Sequence, residues 1–229
     1  MGLSVLKDID CNVNFGRIVK RLKLDNKNSQ YVERLEQLFN KALEIARPKC
    51  AYKKVDTEVK DNQTIVIGDV KLNSKILSVY LGGIEYIFPF VATCGKEVSD
   101  WAEQRPSILD RFWLDHILDE ILNSLVEHHE EHLKVEYGLS RTGSITPGSI
   151  DDWPINQQKP LFDILGDVES AIGVHLLETG VMDPCKSLSG IVFYTKTHFS
   201  TCMFCPREDC PKRRAKYNKE LADRILQSD

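Results

Sequence analysis

Val32, Leu35, Leu38, Phe39, Ala42 and Leu43 recur at three- and four-residue intervals between residues 30 and 46. That spacing predicts one apolar stripe on a helix that Pro48 ends. A longer stripe runs through Leu114, Ile117, Leu118, Ile121, Leu122 and Leu125. Ser107, with Asp110 three residues on, caps its start, and Gly138 closes it. Between these helices the pattern shortens. Thr64–Ile67 and residues 76–81 read as strands, Gly82-Gly83 as a hairpin turn, and residues 84–93 as a further strand. Pro89 inside that last run predicts an edge strand or a bend. Farther on, residues 157–165 and 168–172 are expected to be helical. Residues 174–178 and 189–196 read as strands flanking an irregular loop, and 212–226 as a helix. Strands grouped between helices, without a βαβα rhythm, predict an α+β fold.

A chain of 229 residues holds one large domain or two small ones. The segments divide into an N-terminal helical part (1–60), a core (61–200) and a Cys-rich motif with a C-terminal helix (201–229), expected to form one compact domain. No run of about 18 uninterrupted apolar residues occurs, which excludes a helical membrane span on length. The N-terminus has no basic start followed by a long apolar core, so it does not read as a secretory signal. Met1-Gly2-Leu3-Ser4-Val5-Leu6 matches a myristoylation pattern only in part, lacking Ser or Thr at the sixth position. The expected location is the cytoplasm. A net charge of −4 gives no reason to expect broad contact with nucleic acid. The basic run Lys212-Arg213-Arg214-Ala215-Lys216 departs from that balance and reads as a solvated helix end.

The seven cysteines are unevenly placed. Cys11, Cys50, Cys94 and Cys185 are scattered, whereas Cys202, Cys205 and Cys210 lie close together. In a cytosolic chain they are expected to be reduced. The Cys202-x-x-Cys205 spacer turns two thiolates toward one centre, and Cys210 is near enough to supply a third. Soft thiolates select zinc or an iron–sulfur cluster, and both usually take four protein ligands. Cys94, at the end of its strand, is the leading fourth ligand, with Cys185 and His198 as rivals. His198 would favour zinc.

Two further patterns bear chemistry. His128-His129-Glu130-Glu131-His132 fits the H-x-x-E-H pattern of inverted zinc peptidases, with His128 and His132 on one helix face. In a helix end this rich in His and Glu, the plainer reading is a solvated polar face. The segment from Arg141 to Ser149 combines a fixed cation with Thr-Pro-Gly-Ser. Pro147 restricts the chain there, and Gly148 lets a ligand approach the backbone. Glu130 is placed to accept hydrogen bonds from a cationic amine.

The order of these pieces carries a resemblance. The long helix ends in Glu130-Glu131-His132-Leu133-Lys134-Val135-Glu136-Tyr137-Gly138. An arginine and a Pro-Gly turn follow, then Asp152-Trp153-Pro154 and a short helix. Next comes Leu176-Leu177-Glu178-Thr179-Gly180-Val181-Met182-Asp183-Pro184-Cys185-Lys186-Ser187-Leu188-Ser189-Gly190. This resembles the activation (reactivation) domain of cobalamin-dependent methionine synthase, which has an L-T-E-S element, then Met-x-Pro, then Ser-Val-Ser-Gly. Phe90 to Gly95 also looks like that domain's strand and Thr-x-Gly turn. The resemblance covers roughly residues 75–195.

It implies a C-shaped α+β fold around a twisted, largely antiparallel sheet. It also implies binding of S-adenosylmethionine, and action on a cobalamin whose cobalt has oxidised to the inactive Cob(II) state. A sulfonium-bearing amino acid needs an anion near its cationic groups and a cation for its carboxylate. Carried over by position, Glu130 is the acidic ligand, Arg141 the cation, and Pro147 and Gly148 the turn. Ser149 stands where the family has tyrosine, and Arg141 lies six residues before Pro147 rather than three. The Cys202 cluster has no counterpart in that domain. Stand-alone, Cys-rich relatives look like accessory proteins of anaerobic corrinoid methyl-transfer systems. The expected partner is therefore a separate corrinoid protein or corrinoid-dependent methyltransferase carrying the cobalamin. The role would be supplying S-adenosylmethionine or passing an electron through the Cys cluster. The alternative is a non-catalytic corrinoid-protein binding or scaffold module with a structural zinc.

Overall fold

The computed structural model describes residues 2–7, 9, 11–24, 29–210 and 213–227. Met1 and Lys212, which enter the sequence readings above, lie outside the described residues. Eight strands form one sheet: β1 (Ser4–Leu6), β2 (Lys49–Tyr52), β3 (Val55–Val59), β4 (Thr64–Ile67), β5 (Val70–Asn73), β6 (Tyr86–Thr93), β7 (Thr142–Ile145) and β10 (Ser187–Tyr194). The short strands β8 (His175–Leu176) and β9 (Met182–Asp183) pair only with each other. Every described pairing is antiparallel. The helices are α1 (Phe15–Arg21), α2 (Ser29–Ile45), α3 (Lys75–Leu81), α4 (Lys96–Glu103), α5 (Ile108–Tyr137), α6 (Gln158–Leu165), α7 (Val168–Ile172) and α8 (Lys219–Leu226). The α+β class expected from the sequence is the one found.

Strand β6 organises the sheet. From Ile87 onward it is buried on both faces, which is why it reads as an uninterrupted apolar run rather than an alternating one. Phe88, Phe90 and Ala92 point into a core shared with α2, α4 and α5. Ile87 and Val91 point the other way, toward α3, α6, α7 and α8. The sheet is thus a middle layer between two layers of helices. Pro89 does not mark an edge, because β6 is flanked by β10 on one side and by β2 and β3 on the other. Lys53 N–H donates to the Pro89 carbonyl at 3.1 Å. A strand residue turns its N–H and C=O to the same side. The donor that proline lacks therefore falls at the gap between β2 and β3, where Lys53 and Lys54 interrupt the ladder.

Residues 76–81, expected as a strand before a hairpin, form α3 instead. A short apolar run does not by itself distinguish strand from helix. What decides here is capping. Ser74 Oγ accepts from Leu77 N–H at 3.0 Å, and the Asp152 carboxylate accepts from Lys75 N–H at 3.1 Å and Ile76 N–H at 3.0 Å. Gly82-Gly83 then ends a helix rather than turning a hairpin. Asp152 belongs to the Asp-Trp-Pro string of the sequence resemblance, and its role in the fold is to hold the start of α3. The first sixty residues, read as helical, also give β1, β2 and β3. The C-terminal helix, expected from residue 212, runs only from Lys219 to Leu226.

Helix α5 matches its sequence reading closely. Ser107 Oγ accepts from Asp110 N–H at 3.1 Å, and Gly138 closes the helix with φ 63°. Two carboxylates on its otherwise apolar flank are buried and paired: Glu120 with Arg21 of α1, and Asp110 with Arg34 of α2 at 2.7 Å. Gly190 explains the last letter of the Ser-Leu-Ser-Gly string. A Cβ there would lie 2.6 Å from the Ile145 carbonyl oxygen and 3.0 Å from the Phe90 ring.

Removing the Asp152 carboxylate leaves two α3 N–H groups without their acceptor. Asp152→Ala is expected to cost about 2 kcal/mol of stability. Urea denaturation should show a lower midpoint with an unchanged slope.

Candidate functional site

A small cleft of about 130 Å³ opens where the C-terminal half of α5 passes the edge strand β7. Asn123, Val126 and Glu130 form the helical wall. Residues four apart share a helix face, so Glu130 stands one turn beyond Val126 and follows it into the cleft. Ser144 and Thr146 form the opposite wall, with Phe90 and Leu188 as the apolar floor. Thr201 and Arg214, from the Cys-rich segment, complete the rim. Thr142 Oγ1 donates to Glu130 Oε2 at 3.4 Å. Arg214 approaches Glu127 only at 3.8 Å, and both side chains are mostly exposed. Such a surface pair is weak, so the guanidinium is not committed to it.

The other expected ligand residues fall around this cleft rather than in it. Arg141 is exposed, and its carbonyl accepts from Thr195 N–H at 3.2 Å, prolonging the β7–β10 ladder. Strand alternation explains its direction. Thr142 and Ser144 face α5, whereas Gly143 and Ile145 face the opposite core, so Arg141 points away from Glu130. Pro147 is buried. Gly148, at φ 80°, donates to the Trp153 carbonyl at 2.7 Å, and a Cβ there would meet Ile155 at 3.3 Å. Ser149 Oγ donates to the Thr146 carbonyl at 2.6 Å. The Thr-Pro-Gly-Ser turn is closed on itself and holds Thr146 at the cleft.

The Cys-rich segment is knit by a guanidinium. Arg213 donates to the carbonyls of Cys202 at 3.2 Å, Cys205 at 3.1 Å and Ala215 at 3.0 Å, and also to that of Arg207. Cys202 Sγ accepts from Arg214 N–H at 3.4 Å. Burial alone would push the Cys202 thiol up. The N–H groups of Arg214 and Ala215, the Ser200 hydroxyl and the Arg213 charge outweigh it and bring the thiol below its usual range. Cys202, Cys205 and Cys210 are all free and partly buried.

Among the described residues, no three His, Cys, Asp or Glu side chains are grouped to hold a metal ion. Cys94 does not join the cluster. Its Sγ donates to the Leu118 carbonyl at 3.3 Å inside the α5 core, and burial pushes its thiol up, favouring the protonated form that does not ligate. The thiols close enough to influence it are Cys11 and Cys185. Cys185 lies against Glu103, and His198 lines a different cleft beside Met203 and Arg224.

The histidine run resolves residue by residue. His128 is exposed, Glu131 pairs with Lys134 at 2.6 Å, and His132 Nε2 lies 3.0 Å from the Tyr52 hydroxyl. His129, expected on a solvated face, is fully buried between the rings of Tyr52 and Phe90, at 4.9 and 5.2 Å. Neither of its ring nitrogens has a hydrogen-bond partner, and burial pushes its pKa down to about 3. The sequence carried the signal, because Ile121, Leu125, His129 and Leu133 continue one four-residue series. Arg214, expected at a solvated helix end, lines the cleft, and no local signal in the sequence points to that place.

No family model matches the chain, and no curated protein matches it by sequence. Among solved structures, the crystal structure of the MetH reactivation domain bound to AdoHcy is similar. The TM-score is 0.64 at 15% identity, over 99% of this chain and 90% of that one. At that identity the similarity shows the fold, which is the fold that the sequence resemblance implied. Among the described residues, no helix is long and apolar enough to cross a membrane.

Neutral His129 is favoured in the fold, whereas in the unfolded chain it titrates near its ordinary value of about 6.5. The stability this contributes is complete above that value and is lost as the pH falls from there toward about 3. The slope is at most about 1.4 kcal/mol per pH unit. Urea midpoints measured from neutral to mildly acidic pH should fall for the wild type. In His129→Phe that part of the decline should disappear.

Proposed function

We propose that this chain is an activation-type accessory protein. It binds S-adenosylmethionine, or its product S-adenosylhomocysteine, and acts on a corrinoid carried by a separate protein. What carries the reading is the near full-length similarity to a reactivation domain solved with AdoHcy, together with Glu130 on a cleft at the end of the long helix.

The residues present fit one end of such a ligand. A cleft of about 130 Å³ corresponds to roughly four water volumes, whereas a whole cofactor-sized ligand takes about 300–1,000 Å³. It therefore accepts an amino-acid end, with the adenosyl portion lying outside. Glu130 supplies the anion that a cationic amine or sulfonium requires, and Ser144, Thr146 and Thr201 offer hydroxyls for orientation. Bound S-adenosylmethionine supplies a methyl group activated on sulfur. The protein's own part is to hold the ligand's charged end beside the edge of the sheet and present the remainder to a docked partner.

Isothermal titration of the purified protein with S-adenosylhomocysteine tests the ligand. Glu130→Gln is expected to weaken binding at least about tenfold, equivalent to about 1.4 kcal/mol. Wild-type binding weaker than about 1 mM would refute the reading. Retention of a corrinoid protein without ligand binding would leave only the scaffold alternative. For the partner, the expected result is that adding the protein and S-adenosylmethionine to a Cob(II) corrinoid protein under reducing conditions changes the corrinoid absorbance.

A further inference from the structure

The cleft has an acid on its helical wall and a base on its rim, yet the base is not the arginine that precedes the Pro-Gly turn. We infer that Arg214, delivered by the Cys-rich segment, binds the carboxylate of a ligand whose ammonium group meets Glu130. This inference rests on the function proposed above and deepens it, assigning the ligand's amino-acid end to two residues on separate parts of the chain.

Three observations carry it. First, Glu130 and Arg214 line the same cleft of about 130 Å³, so one small zwitterion can meet both charges. Second, Arg141 does not line the cleft, and carrying the alternation of β7 back by one residue puts it on the face away from Thr142 and Glu130. Third, Arg214 is held at its backbone rather than at its guanidinium. Its N–H donates to Cys202 Sγ at 3.4 Å, while Arg213 ties Cys202, Cys205 and Ala215 into one turn. The side chain's approach to Glu127 is loose, at 3.8 Å between exposed groups, and a carboxylate in the cleft would compete for it. Cys202 and Arg213 are thus positioning residues, and Arg214 is the binding residue.

The test compares two nucleosides on the full chain. S-adenosylhomocysteine carries the amino-acid end, and 5′-methylthioadenosine lacks it. Arg214→Gln is expected to weaken S-adenosylhomocysteine about 10- to 100-fold while leaving 5′-methylthioadenosine within about twofold of wild type. Arg141→Gln should change neither. Arg214 is mostly exposed, so its variant should keep the wild-type melting temperature. Equal S-adenosylhomocysteine binding by wild type and Arg214→Gln overturns this inference and leaves the proposed function standing. Equal weakening of both nucleosides also overturns it, because Arg214 would then not be reading the carboxylate. Failure of the wild type to bind S-adenosylhomocysteine overturns the proposed function, and this inference with it.

Discussion

Burial of β6 on both faces is the constraint around which the molecule is arranged. A strand with Phe88, Phe90 and Ala92 on one side and Ile87 and Val91 on the other has no side for water, so helices must cover both. Its backbone must also be satisfied along both edges. β10 does this on one edge, and β2 and β3 share the other, leaving a gap where Pro89 lacks a donor. A proline is tolerated in a central strand only because the neighbouring strand is broken at that point.

The candidate site follows from how α5 lies on the sheet. Helix α5 has 30 residues, about 45 Å at 1.5 Å per residue, while the eight residues of β6 span about 27 Å. The C-terminal half of the helix still lies over β6, with His129 against Phe90 and Tyr137 against Phe88, and Glu130 on its flank faces β7, whose outer edge is unpaired by any other described strand. The Cys-rich segment covers that edge. Phe199 and Phe204 pack into the core on one face of the sheet, while Thr201 and Arg214 reach the cleft on the other. Covering an exposed edge is a common need of antiparallel sheets. Here the cover also brings Arg214 to the cleft that Glu130 lines. The buried ring of His129, clamped between Tyr52 and Phe90, fixes the turn of α5 from which Glu130 projects.

Much of this was readable from the chain. The stripe and caps of α5, the stripe of α2 apart from the exposed Leu43, and the strand at Thr64–Ile67 rest on local periodicity and local hydrogen bonds, so they survive into the structure. Glu130, which the resemblance makes the acidic ligand, lines the cleft. Other readings failed where a distant partner decides. The 76–81 run becomes a helix because Asp152, far away in sequence, accepts its first N–H groups. Cys94 was grouped with the Cys-rich segment on chemistry alone, whereas its place in the strand turns it into the α5 core.

The sequence by itself determined the element types with strong local signals and the α+β class, and it placed Glu130 near the end of the long helix. Only the tertiary structure decided which arginine shares a cleft with Glu130. Arg141 and Arg214 are equally charged, and nothing local distinguishes them. Arg141, one residue before β7, is exposed and lies outside the cleft lining, whereas the folding of the Cys-rich segment over the sheet edge brings Arg214 into it. Side-chain direction in a strand has a period of two, so a single position decides on which face of the sheet a charge lies.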